Sequence, residues 1–339
     1  MSEKIYDVCG VGNAILDLIV EISDEQLTEF GLEKASMRLV EPDEQMALLK
    51  KIESHEPHRA AGGSVANSIA LIAQLGGKTT LCCSLGDDRY GNQYADQLKK
   101  LSVTLPEKRI KDTPTGTSLV MVTPDAERTM RTSLAASAQI DHTYINQTQI
   151  KQSKWVFLEG YLFANPGSGP QVMLEVAKVA AENSTKVAVT LSEPWVVESA
   201  RAVLEPVVEA CDLVFCNEAE AAAYAGVDDP EKAFAILSER LKAVVMTRGE
   251  KGVLVKYGEF TGAVEAFASQ PVDLTGAGDA LAGGFLYGIS KEKGAEESAK
   301  AGCYFAHRVI SQMGARLDQC DKSSWQLALT GDNVGSHLR

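Results

Sequence analysis

Short apolar runs alternate with amphipathic stretches along most of this 339-residue chain, and that alternation restricts its fold more than any other feature. The runs at 6–11, 79–84, 155–158, 186–191, 213–216 and 243–247 are dominated by apolar and β-branched residues and have the length of buried strands. Between them, 64–75, 90–101, 169–183, 196–209 and 217–225 carry apolar residues at helical spacing. Parallel strands need a crossover connection, and a crossover helix must bury its apolar stripe on the sheet. The expected fold is therefore α/β, a central parallel-rich sheet flanked by helices on both faces.

Two regions break the alternation. Segments 17–22 and 36–41 read as strands on either side of a short helix, which Ser23-Asp24-Glu25-Gln26 opens with capping-box spacing and Gly31 closes. Farther on, 115–122 and 128–134 face each other across Pro124-Asp125-Ala126-Glu127, as in a β-hairpin. Together these pieces predict a small β-sheet lid near 17–41 and 114–135; the other arrangement open to them is an extension of the main sheet. No repeat, low-complexity tract or long linker interrupts the sequence, so 1–339 reads as a single domain with its lid.

Composition narrows the partners. A net charge of −13 disfavours nucleic acid and anionic membrane. It leaves a nucleotide ligand open, because local backbone amides and a divalent cation override a global field. No apolar run approaches the roughly 20 residues that span a bilayer. Met1-Ser2-Glu3-Lys4 leads directly into a strand rather than a signal sequence, so a cytoplasmic location is expected. Seven scattered cysteines give no disulfide framework; Cys82 and Cys83 are adjacent, and Cys211 and Cys216 are too far apart for a CxxC pair. His55, His58, His142, His307 and His337 lack metal-ligand spacing, with His55 and His58 expected to be solvated, and Trp155, Trp195 and Trp325 read as packing residues.

The strongest chemical signal is Asp273-Leu274-Thr275-Gly276-Ala277-Gly278-Asp279, a glycine-rich loop entering a helix whose apolar face is Ala280, Leu281, Ala282, Phe285 and Leu286. Glycines leave the amides uncovered, and with the positive end of the helix those amides form a cradle for a phosphate or oxyanion. Asp279 would repel a bound anion. Its presence makes sense if it takes a proton from a hydroxyl while the amides of Gly276, Ala277 and Gly278 hold the phosphoryl group being attacked. The bland account is an acid serving the helix dipole.

Other polar groups stand at expected strand ends. Gly62-Gly63-Ser64 opens a helix with Asn67 one turn in, where an amide can both donate to and accept from hydroxyls. Gly10-Val11-Gly12-Asn13 begins like a dinucleotide fingerprint but has Ile15 where a third glycine is required, which excludes that reading. Asn13 and Asp17 are instead expected to face a hydroxylated ligand. Asn217-Glu218-Ala219-Glu220 fits a capping box, and Glu220 equally suits a magnesium ion or its water shell. Thr247-Arg248-Gly249 is a further glycine-shaped turn after a strand, with 252–257 as the next strand.

In this order the motifs resemble the ribokinase-like, PfkB-type family of carbohydrate and nucleoside kinases over nearly the whole chain. Within it, Gly10–Asp17, Pro114-Thr115-Gly116-Thr117, Leu191-Ser192-Glu193-Pro194 and 211–218 are most similar to the adenosine kinase branch. The resemblance implies a kinase using ATP and Mg2+, with Asp279 as base and Gly276–Gly278 as anion hole. Asn13, Asp17, Gly63, Ser64 and Asn67 would hold the acceptor, most simply a ribonucleoside, whose 5′-hydroxyl would be phosphorylated. Asn217, Glu220, Thr247 and Gly249 would serve ATP and magnesium, and Arg128 in the lid would approach the phosphates. A monomer or homodimer is implied. Leu274 departs from the Thr or Ser usual in the signature, and Met37 and Arg38 depart from the branch's base-facing pattern. Tyr161 and Phe163 are the expected lid-facing aromatics. A free-sugar kinase, or a non-catalytic binder on the same fold, are the alternatives.

Overall fold

A computed structural model describes residues 3–125 and 127–330. Ala126 of the expected hairpin turn, Met1, Ser2 and 331–339 with His337 lie outside the described residues. Strands β1 (Tyr6–Val11), β2 (Ile15–Glu21), β3 (Met37–Leu39), β4 (His58–Gly62), β5 (Thr79–Cys82), β6 (Gly116–Val122), β7 (Arg128–Ser133), β8 (Ser153–Glu159), β9 (Lys186–Thr190), β10 (Leu213–Asn217), β11 (Val244–Thr247), β12 (Val253–Tyr257) and β13 (Phe260–Val264) form two sheets.

The larger sheet has the order β13-β12-β11-β10-β9-β8-β1-β5, parallel from β11 to β5 and antiparallel through β12 and β13. Its central strands are covered on both faces, which is why they read as continuous apolar runs. Alternation sorts their side chains: Trp155 and Phe157 join one core with helices Ser64–Gln74 and Ala277–Ser290, while Val156 and Leu158 join the other with helices Gly169–Glu182 and Arg201–Ala210. From β1 the chain first moves outward to β5 and later returns to β8 on the other side. The crevice at the carboxyl ends of β1 and β8 is thus a topological switch point, where open α/β sheets bind ligands.

The smaller sheet, β3-β7-β6-β2-β4, is separate from the main one. In β2, Leu16, Leu18 and Val20 are buried with Leu48 and Leu98 of helices Pro42–Lys51 and Arg89–Lys100. The opposite face presents a row across the strands, Leu39, Thr132, Ser118 and Asp17, in the observed register. Around Ala126 the hairpin is closed by Thr123 N donating to Glu127 O at 3.0 Å.

Several expectations change. Strand 36–41 shrinks to Met37–Leu39, exposed along its length at a sheet edge. The stretch 196–209 is two helices, Pro194–Ser199 and Arg201–Ala210, interrupted at Ala200. Strand β4 was unanticipated, although His58 at its start is exposed as expected. Six of the seven cysteines are buried and all are free. No helix among the described residues is long and apolar enough to cross a membrane.

Candidate active site

The helix carrying Asp279 is buried because it presents glycine to its neighbours. A Cβ on Gly283 would lie 3.0 Å from the Ser68 carbonyl, and one on Gly284 would lie 3.0 Å from Gly302 Cα. The close approach at Gly283 brings helix Ser64–Gln74 against the first turn, where Ser68 Oγ donates to the Asp279 carbonyl at 2.8 Å. Gly276 caps this helix at φ 81°, and a Cβ there would meet Ala315 O at 2.6 Å; Gly278 faces open space. Of the first-turn amides, Ala277 N reaches back to the Leu274 carbonyl at a long 3.4 Å, while those of Gly278 and Asp279 have no carbonyl of their own helix to bond and remain available to an anion.

The Asp279 carboxylate is held at both oxygens. Ser64 Oγ donates to Oδ1 at 2.6 Å and Asn67 Nδ2 to Oδ2 at 2.9 Å. Burial pushes its pKa up, against these hydrogen bonds and the nearby Arg316 charge. The helix terminus alone would favour the ionised form, so desolvation outweighs the effect expected from sequence. Both polar atoms of Asn67 are engaged by protein, since Arg316 Nε donates to its Oδ1 at 2.8 Å.

Next to this centre, three glycines make room for the carboxylates of Glu159 and Asp17 and for the backbone of Asn13. A Cβ on Gly12 would lie 2.4 Å from Glu159 Oε2, one on Gly62 2.5 Å from Asp17 Oδ2, and one on Gly63, at φ 97°, 2.2 Å from Asn13 O. Glu159 accepts from Asn13 Nδ2 at 2.6 Å, Asn13 N at 3.3 Å and Val65 N at 3.2 Å. Burial raises its carboxyl to about 7, against those hydrogen bonds. Burial likewise raises Asp17 to about 7, opposed by Arg316 and Arg128. Glu159 escaped the sequence reading. Its signal, a lone acid ending an apolar strand, is the one that identified Asn13.

On the other flank, Asn217 and Glu220 form the anticipated capping box: Asn217 Oδ1 accepts from Glu220 N at 2.8 Å, and Glu220 accepts from Asn217 N at 3.1 Å and Nδ2 at 2.7 Å. Burial raises Glu220 to about 7. One carboxylate beside a roomy cavity suits magnesium held largely through water; among the described residues no cluster of three metal-ligating side chains exists.

These groups line one cavity of about 540 Å³, bounded by the main sheet, the small sheet and the Asp279 helix. Asn13, Asp17, Gly63, Ser64, Asn67, Asn217, Glu220, Thr247 and 276–279 all border it. Gly249 and Arg128 do not. Arg128 is bound by Asp273 and donates to Thr275 Oγ1 at 2.7 Å, which ties the lid to the glycine loop. Leu274 is 69 % exposed and borders the cavity.

The aromatics are distributed differently from expectation. Phe163 is buried in the core, away from the lid. Tyr161 lines the cavity, but from the segment after β8, and faces Trp195 with ring centroids 6.2 Å apart. Trp195 is thus a cavity wall, 40 % exposed, whereas Trp155 and Trp325 are core residues.

Comparison with known proteins gives a consistent pattern. Residues 32–321 match the model of the pfkB family carbohydrate kinase. The chain is 30% identical to adenosine kinase 2 of Arabidopsis thaliana, over 92% of this chain and 96% of that protein. A crystal structure of a probable sugar kinase from Rhizobium etli superposes with a TM-score of 0.88 at 30% identity, covering 97% of this chain and 99% of the other. The adenosine kinase of Sinorhizobium meliloti superposes at 0.85 with 32% identity, covering 96% and 98% respectively.

Proposed function

This chain belongs to the pfkB family of carbohydrate kinases and is a phosphotransferase for a nucleoside or a sugar, and from that premise we propose that it moves the γ-phosphoryl group of ATP to the 5′-hydroxyl of a ribonucleoside, adenosine being the first candidate. The observation that carries this reading is the Asp279 carboxylate, held by Ser64 and Asn67 at the mouth of an uncovered helix N-terminus.

Asp279 accepts the hydroxyl proton as the new O–P bond forms; burial, by raising its proton affinity, brings it nearer the working pH. The amides of Gly276, Ala277 and Gly278 face the charge that develops on the phosphoryl oxygens. Asp17 accepts hydrogen bonds from two neighbouring ribose hydroxyls, and Asn13, fixed by Glu159, provides a third polar contact. Asn217 and Thr247 border the triphosphate path, and Gly249 shapes the turn beyond it. Magnesium beside Glu220 supplies charge neutralisation to the phosphates when bound. Arg128 couples the lid to the loop through Asp273 and Thr275, so lid closure excludes water as the loop takes its final form.

The acceptor reading rests on the walls. Ile15, Met37, Leu39, Met130 and Leu134 line the same cavity as Tyr161 and Trp195, apolar surfaces suited to a base. Ser118 and Thr132, sharing a 2.8 Å hydrogen bond on the same wall, favour the second reading, a free-sugar kinase. ADP release with magnesium across adenosine, inosine, guanosine, ribose and fructose separates them. A nucleoside should have the highest kcat/KM; turnover of ribose or fructose with no nucleoside activity overturns the assignment.

A further inference from the structure

Arg316 has no part in the mechanism above, yet its guanidinium points into the polar network beneath Asp279. Its backbone is pinned on both sides: Gln312 Nε2 donates to the Arg316 carbonyl at 2.8 Å and Gln74 Nε2 to the Leu317 carbonyl at 2.8 Å. The preceding residue, Ala315, fills the space left by Gly276. The same short segment therefore touches the glycine loop and carries the guanidinium to Asn67.

From this arrangement we propose that Arg316 is a positioning residue for Asp279, acting through the amide of Asn67. A side-chain amide has a donor end and an acceptor end and can turn over. If Asn67 placed its oxygen toward Asp279, two acceptors would face each other. Arg316 prevents this, because a guanidinium only donates. With Nε bonded to Asn67 Oδ1 at 2.8 Å, the Nδ2 end must face Asp279 Oδ2, where it stands at 2.9 Å. Ser64 then holds Oδ1 at 2.6 Å, and the carboxylate plane is fixed.

The charge of Arg316 adds to the effect. Asp17 on β2, Glu159 at the end of β8, Glu220 at the start of its helix and the phenol of Tyr161 all feel the Asp279 charge, which raises the proton affinity of each. Arg316 is the cation among these acids, and it favours the ionised form at Asp279 and at Asp17. Its Nη2 has no protein partner, and a void of about 10 Å³, about the size of one water, lies between Arg316, Asn67 and Gln74. Water there would complete its hydrogen bonding without competing for Asn67.

The inference rests on Asp279 as base, so Asp279→Asn is measured first; near-normal turnover would overturn both ideas. With that variant inactive, the test is kcat, both KM values and the kcat–pH profile for Arg316→Met, Arg316→Lys, Asn67→Ala and the Arg316→Met/Asn67→Ala double variant. Arg316→Met should lower kcat by about 10- to 100-fold with the ATP KM little changed, because a misplaced reacting group costs about that much. Its acid limb should move to higher pH. The double variant should be within about threefold of Asn67→Ala alone, as expected when one residue acts through the other. Arg316→Lys keeps charge without the planar Nε donor, so its acid limb should stay near that of the wild type while kcat remains low. Additive losses in the double variant, an unmoved acid limb in Arg316→Met, or full recovery of kcat by lysine would each refute the positioning role while leaving Asp279 as base. Should the methionine variant fail to fold, the lysine variant and its combination with Asn67→Ala provide the coupling test, in which additive losses again refute the positioning role.

Discussion

Replacing Asp279 by Asn separates chemistry from architecture with little ambiguity, because the structure shows how the new amide would be received. Asn67 cannot reverse its amide while Arg316 Nε occupies its Oδ1. An Asn at 279 must therefore turn its oxygen toward Asn67 Nδ2 and its nitrogen toward Ser64, whose hydroxyl can rotate from donor to acceptor. Every hydrogen bond is kept and no volume changes. The ability to accept the hydroxyl proton is lost, and kcat should fall by about 10²- to 10⁴-fold, the usual contribution of a general base. That is about 3–5 kcal/mol in the activation barrier. Affinities for ATP and acceptor should stay within about tenfold, roughly 1.4 kcal/mol.

Stability should move the other way. Burial raises the proton affinity of Asp279 in the folded chain above that in the unfolded chain. The folded protein is therefore destabilised, relative to a residue that does not titrate, as pH rises from the unfolded-state value near 4 through the folded-state value. A neutral Asn escapes this cost, which amounts to about 1.4 kcal/mol for each tenfold difference in proton affinity. The variant should melt higher than the wild type at pH 8, by a margin that shrinks toward pH 4.5. ADP-release kinetics and thermal melts at the two pH values test both halves. Turnover within about tenfold of the wild type would remove Asp279 as base; a variant that melts lower at pH 8 would refute the hydrogen-bond exchange at Ser64.

Two further outcomes follow from the acceptor side. Asp17→Ala should weaken acceptor binding by about 10- to 100-fold with ATP binding unchanged, since hydrogen bonds to a charged group are worth about 1.5–3 kcal/mol; calorimetry showing unchanged acceptor affinity would exclude Asp17 from the site. Because the Asp17 carboxyl is raised to about 7, wild-type acceptor affinity should also decline as pH falls through 7, a limb the Ala variant lacks. Gly12→Ala should cost about 1–3 kcal/mol of stability, because its methyl group would lie 2.4 Å from Glu159 Oε2 and 3.0 Å from Val65 Cβ; a variant as stable and active as the wild type would show that Glu159 is free to move.

The parallel sheet was readable because strands buried on both faces leave unbroken apolar runs, as in Leu213-Val214-Phe215-Cys216. Edges were harder: β13 alternates half-buried and exposed residues without a strong apolar signal, β4 was missed, and β3, exposed throughout, is shorter than the strand expected over 36–41. The break at Ala200 has no glycine there to announce it. In the site, the residues proposed to carry chemistry sit at positions that local sequence can mark: a glycine loop before a helix, a polar residue ending an apolar strand, or Asn and Glu three apart. The residues that hold them do not. Glu159 meets Asn13 across 146 residues and Arg316 meets Asn67 across 249, contacts that exist only after the sheet has brought distant strand ends together. Even Leu274 is clarified in this way. The hydroxyl missing at that position is present one residue later in Thr275, whose amide donates to Asp273 at 2.9 Å and whose Oγ1 receives Arg128 at 2.7 Å. A side chain at 274 is then free to border the cavity, and a leucine there adds apolar surface where the resemblance marked only a departure from Thr or Ser. What a motif encodes is therefore the reacting group and its backbone geometry, whereas orientation and proton affinity are set by partners that only the fold supplies.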